Sequence, residues 1–95
     1  MHIITRKRLL EFSKNNPECF SAIESWYRIL KHTDFDSFEE LRRAFPSADQ
    51  VGKLTVSNID GNKARLIVAM HYNTHRVYIR KVLTHAEYNR QKLKE

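Results

Sequence analysis

Near Gly52 the spacing of apolar residues changes from three-and-four to two, and that change splits the chain into a helical half and a strand half. Before it, Leu9 and Phe12 lie three apart with Ile4 or Thr5 behind them. This spacing predicts a short strand over residues 2–5 and a helix from Arg6 to about Asn15. Cys19, Ile23, Trp26 and Leu30 then fall at i, i+4, i+7 and i+11, flanked by Phe20 and Tyr27, which marks the buried stripe of a second helix. Asn16-Pro17-Glu18 reads as its start: a capping side chain, a proline at the first helical position and an acid for the dipole. Ser37-Phe38-Glu39-Glu40 has the spacing of a capping box and opens a short third helix, with Leu41 and Phe45 inward and Pro46 ending it.

After Gly52, residues 53–58 alternate, 63–72 form a long β-rich run and 76–83 alternate again. Register follows from parity. A two-residue loop at Asn73-Thr74 sets Tyr72 opposite His75, Met70 opposite Val77 and Val68 opposite Ile79. For the first hairpin, a two-residue loop at Asp60-Gly61 would oppose Val56 to Arg65. A three-residue loop of Ile59, Asp60 and a left-handed Gly61 pairs Asn58 with Asn62 and is the expectation. One face of the meander then carries Leu54, Val56, Ala64, Leu66, Val68, Met70, Val77, Ile79 and Leu83 against the helices. The other carries Lys53, Thr55, Ser57, Lys63, Arg65, Ile67, Ala69, His71, Arg76, Tyr78, Arg80 and Val82, a row with cations and histidines and no acid. Thr84-His85-Ala86-Glu87 repeats the capping-box spacing, so a helix of about two turns is expected from His85, with Tyr88 on the same side.

The charge follows the same division. Residues 1–50 hold eight Lys/Arg against eight Asp/Glu, whereas residues 51–95 hold nine against three. The whole excess of +6 therefore sits on the strand half, which points to a polyanionic partner. A neutral helical half argues against a DNA-reading helix in this chain. At 95 residues the chain makes one domain. A lone Cys19 excludes a disulfide framework and a Cys-rich zinc site, and at an apolar helix position it reads as core. Two glycines exclude a Gly-rich phosphate loop. The longest apolar run, residues 66–70, is too short to span a membrane, and no signal-peptide pattern follows the early basic residues. The expectation is a cytoplasmic domain with no metal and no cofactor.

What remains is acid–base and electrostatic chemistry on a polyanion. Metal-free RNA cleavage needs a base for the 2′-hydroxyl proton, cations for the charge gathering at phosphorus, and an acid for the leaving 5′-oxygen. His85 is the side-chain type that exchanges protons near neutral pH. Arg65 and Arg80 can grip phosphate with fixed forks, and Tyr88 can donate a proton or stack on a base. Each has a plain alternative: His85 in the cap, Tyr88 closing the core, Arg80 paired with Glu87.

The succession Asn58-Ile59-Asp60-Gly61-Asn62-Lys63-Ala64-Arg65-Leu66, then Val77-Tyr78-Ile79-Arg80, then Leu83-Thr84-His85-Ala86-Glu87-Tyr88 resembles the HigB-type toxins of bacterial type II toxin–antitoxin pairs, in the RelE-like superfamily. Met1-His2-Ile3-Ile4 and Ala44-Phe45-Pro46-Ser47-Ala48-Asp49 also fit, so the resemblance spans essentially the whole chain. It implies an α+β, microbial ribonuclease-like fold, with N-terminal helices on one face of a twisted antiparallel sheet and a short C-terminal helix. It implies a metal-independent mRNA endonuclease that cuts translated messages at the ribosomal A site and leaves 2′,3′-cyclic or 3′-phosphate ends. Its partners would be mRNA, the ribosome and a HigA-type helix-turn-helix antitoxin whose complex binds operator DNA. Carried onto this sequence, Arg65, Arg80, His85 and Tyr88 are the catalytic candidates. Lys53, Asn62, Lys63, Arg76, Tyr78 and Lys81 are the RNA-binding ones. Two rival readings stay open: a non-catalytic RNA- or ribosome-binding domain using the same face, and a regulator acting only through a partner.

Overall fold

The computed structural model describes residues 1–61 and 63–90. Its elements are β1 His2–Ile4, α1 Arg6–Asn15, a 3-10 turn Pro17–Cys19, α2 Phe20–Lys31, α3 Phe38–Ala44, β2 Asp49–Val51, β3 Leu54–Ile59, β4 Ala64–His71, β5 Arg76–Thr84 and α4 His85–Arg90. The strands form one sheet in the order β1-β5-β4-β3-β2. The fold is the expected α+β arrangement, except that β1 runs parallel to β5, so the sheet is mixed rather than purely antiparallel. The three-residue edge strand β2 was not anticipated.

The α2 stripe is buried as its spacing requires: Cys19, Ile23, Trp26 and Leu30 are all inside, while Phe20 is half exposed. They pack with Leu9, Phe12 and Leu41 against Ile59, Ala64, Leu66, Val68, Val77 and Ile79 of the sheet. Each large apolar side chain buried there contributes roughly 1.5–3 kcal/mol. Asn16 does not cap α2. Its Nδ2 (3.2 Å) and its backbone N (2.8 Å) both donate to the Phe12 carbonyl, so it closes α1 instead, and Pro17 opens the 3-10 turn. At a junction between two helices, an amide side chain can serve either end, and here the donor end is used. Ser37 does cap α3, accepting from the Glu40 amide at 3.2 Å, but the Glu40 carboxylate reaches the Asp36 amide rather than Ser37's own.

The second hairpin has the expected register, with Met70 opposite Val77 and Val68 opposite Ile79. The first does not. Ile59 pairs with Ala64, and the Asp60 and Gly61 that follow Ile59 both lie at positive φ (53° and 67°). Val56 therefore faces Ile67, and Thr55, Ser57 and Ile59 take the helix side. A second departure is a β-bulge: Val68 pairs with Ile79 but Ile67 pairs with Lys81, so Arg80 is the extra residue. Beyond it the parity of β5 reverses. Val82 joins the helix-side core, while Leu83 crosses to the other face with Val56 and Ile67.

Candidate active site

These two parity changes rebuild the face away from α1 and α2. It holds a small second core of Val56, Ile67 and Leu83, ringed by Val51, Leu54 and Tyr88. It is not the unbroken cationic row that alternation implied. Thr55, Ser57 and Val82 leave it, and exposed Asp49, paired with Val56, adds a carboxylate at its edge. Arg65, Ile67, Ala69, His71, Arg76 and Tyr78 remain, joined by Lys81 opposite Ile67.

The α4 end of this face brings Arg65 and Tyr88 into contact, with His85 one helical turn earlier on α4. The Thr84-to-Glu87 capping box is complete: Glu87 N donates to Thr84 Oγ1 (3.2 Å) and Thr84 N donates to Glu87 Oε1 (2.9 Å). This sets the direction in which α4 leaves β5. His85, the first residue of α4, donates its backbone N–H to the Lys63 carbonyl at 3.1 Å, tying α4 to the β3–β4 connection. Three residues on, Tyr88 packs over the second core, and the Arg65 guanidinium lies 5.4 Å from its ring centroid. Arg65 pairs with Leu83 in the sheet, so its root stands on that same core. The His85 ring Nε2 lies 3.1 Å from Asn89 Nδ2. In the tautomer that carries its proton on Nδ1, that amide donates and Nε2 accepts.

Arg80 sits apart from this group, in the bulge of β5, where the Arg8 guanidinium donates to its carbonyl at 2.9 Å. Arg80 lines a cavity of about 390 Å³ with Thr5, Arg8, Ala69, His71, Tyr78 and Ile79, at the edge of the sheet beside α1. The Tyr78 ring meets His71 edge to face, 5.1 Å between centroids and 77° between planes. Arg76 is the exposed first residue of β5, beside His71. Lys63 lies 3.4 Å from Asp60 in the connection before β4. Lys53 stands in the turn between β2 and β3, at the opposite end of β3 from that connection. Asn62 falls outside the described residues.

Sequence reasoning missed Arg8, because a basic residue in the first turn of a helix looks like any solvated cation. A larger cleft of about 540 Å³ runs between α1 and the end of β5, but Glu11 and Glu87 line it beside Arg8 and Lys81, a mixed lining ill suited to a polyanion. Cys19 is buried, and burial first, then neighbouring Glu18 and Asp60, push its thiol up, away from nucleophilic use. Among the described residues no group of three or more His, Cys, Asp or Glu side chains gathers as a metal would require. No described helix is long and apolar enough to cross a membrane.

Residues 19–91 match the family model described as HigB_toxin, the RelE-like toxic component of a toxin–antitoxin system. The chain is 34% identical over 93 residues to a protein named mRNA interferase HigB from Escherichia coli O6:H1 strain CFT073, an alignment covering 95% of this chain and 90% of that one. It is 30% identical over 92 residues to the mRNA interferase toxin HigB of E. coli K12, covering 94% and 88%. With a model match over most of its length and relatives aligned nearly end to end, this chain belongs to the HigB family of RelE-like toxins.

Proposed function

We propose that this toxin is an mRNA endonuclease that cuts translated message in the ribosomal A site, with Arg65, His85 and Tyr88 as its reacting group. Relatives named mRNA interferase support the activity. The observation that carries the site is the Arg65 guanidinium held against the Tyr88 ring, one helical turn from His85. In this reading one proton-transfer group takes the 2′-hydroxyl proton, and the 2′-oxygen attacks the adjacent phosphorus. The bond to the 5′-oxygen breaks, and a second group returns a proton to it. The products are a 2′,3′-cyclic phosphate and a free 5′-hydroxyl. His85 and Tyr88 share the proton transfers, and Arg65 steadies the charge on the non-bridging oxygens. Lys81 and Arg76, on the same face as Arg65, guide the RNA backbone, with Lys63, Lys53 and Asn62 as peripheral contacts.

The partners in this reading are the ribosome and a HigA-type antitoxin whose complex binds operator DNA, and the toxin acts in the cytoplasm, where messages are translated. The test is cleavage of a 5′-labelled message by purified protein with and without programmed ribosomes. Arg65→Ala should lower the cleavage rate by about 10²–10³-fold, the usual cost of one transition-state donor. His85→Ala should lower it by about 10²–10⁴-fold. Unchanged rates in both folded variants would remove the site assignment. A folded wild type that binds ribosomes in a salt-dependent way yet yields no cyclic-phosphate product would establish a binding module instead.

A further inference from the structure

The cavity at the β5 bulge lies at the edge of the sheet, where Ala69, His71 and Tyr78 of the active-site face meet Thr5 and Arg8 from the start of α1, and we propose that it takes a single nucleotide of the RNA strand beside the cleaved bond. The inference rests on the endonuclease reading above and adds the part of the substrate that Arg65 and Tyr88 do not reach. Ala69 and Arg65 lie on one face of β4, four residues apart, which is about 13 Å at a strand rise of about 3.3 Å. One phosphate group cannot bridge that distance, so a ligand here belongs to a neighbouring nucleotide.

The chemistry of the lining selects the ligand class. Ala69 brings only a methyl group to the lining, and Tyr78 and His71 lock each other edge to face, so the aromatic surface is preorganised for a base. Arg80 and Arg8 line it too, and no acidic residue does. Arg8 spends one N–H on the Arg80 carbonyl; its other donors can meet a phosphate. That bond falls where β5 has lost its strand partner, since β1 pairs only with Arg76–Tyr78. Arg8 thus pins the bulge that presents Arg80, acting as a positioning residue for it. At about 390 Å³ the cavity suits one nucleotide rather than a folded RNA element.

The test is titration of the isotope-labelled protein with 5′-AMP, 5′-GMP, 5′-CMP and 5′-UMP, followed by resonances of Ala69, His71 and Tyr78, with inorganic phosphate as control. Monophosphates should shift these residues, and at least one base should be preferred. Tyr78→Ala should weaken binding about tenfold, within the range for losing one base–aromatic stack, whereas Tyr78→Phe should retain it. Arg8→Ala should also weaken it about tenfold, as loss of one charged hydrogen bond would. In cleavage on programmed ribosomes, Tyr78→Ala should raise the half-saturating concentration far more than it lowers the maximal rate, and should blur base preference at one flanking position. Shifts reproduced in full by inorganic phosphate, shifts confined to Arg65 and Tyr88, or equal binding by Tyr78→Ala would each overturn the proposal. A wild type that binds monophosphates at Tyr78 but cleaves nothing would leave this pocket standing and sink the endonuclease site instead.

Discussion

The two faces of the sheet differ in what lies on them. The helix-side face is a continuous core, in which Leu30, Ala64, Leu66 and Val77 are wholly inaccessible. Among the described residues the other face has a core of three buried side chains, and the candidate side chains Arg65 and Tyr88 stand around it. The fold is held from one side and the chemistry is displayed on the other. Side chains on the second face can therefore change with less damage to the fold. The largest expected effect follows directly. Leu66→Ala should cost about 2–5 kcal/mol, with its cavity closed in by strands and helices. Leu83→Ala, at the rim of the small core, should cost about 2 kcal/mol, the low end, because its surroundings can collapse into the space. Urea midpoints at equal m-values measure both. Equal losses would break the contrast between the faces.

A smaller effect sharpens the same contrast from the α4 side. Thr84→Ala removes one of the two reciprocal bonds of the capping box and should cost about 1 kcal/mol of stability. The measurement that matters is amide exchange over residues 85–88, which should accelerate while the α2 amides keep their protection. Because Tyr88 rides on α4, cleavage should fall more than global stability alone would explain. Uniformly faster exchange through α2 would show that α4 is part of the main core after all.

Much of this was legible in the sequence, and the failures have physical causes. Cys19, Ile23, Trp26 and Leu30 disclosed α2 because a single-faced helix writes its period plainly. The Asn73-Thr74 hairpin and the Thr84 cap were legible because a turn and a cap are local. The face of β3 was not local. Leu54-Thr55-Val56-Ser57 alternates whichever side the helices take, and here both sides are buried, with Thr55 and Ser57 inside. The clue was Ile59, which breaks that alternation and shares the parity of Thr55 and Ser57. The bulge left a similar trace: Arg80-Lys81 followed by Val82-Leu83 doubles both the polar and the apolar step, as one extra residue in a strand must. For the candidate site, the contact of Arg65 with Tyr88 does not depend on the parity of β3, because its two ends are fixed by β4 and by the Thr84 cap. The grouping of Arg80 with Arg8 was illegible, since it depends on a bulge and a helix 72 residues apart in sequence.

The smallest expected effect lies at the end of α2, on the helix side. The buried Met1 ammonium donates to the carbonyls of Leu30 (2.8 Å) and Thr33 (2.9 Å) and meets Asp34 Oδ1 at 3.0 Å. Its hydrogen bond holds the Asp34 carboxyl below its ordinary value near 3.8. A carboxyl lowered in the folded state adds stability that is present above the ordinary carboxylate range and lost as pH falls through the folded value. Asp34→Asn should therefore match the parent chain in strong acid and fall slightly below it near neutrality. Asp34 is well exposed, so the gap should be small and should shrink in high salt. The carbonyl contacts of the ammonium do not involve the carboxylate and persist in the variant, so a deficit that remained in strong acid would assign the stabilisation to the geometry of the α2 terminus rather than to this charge pair.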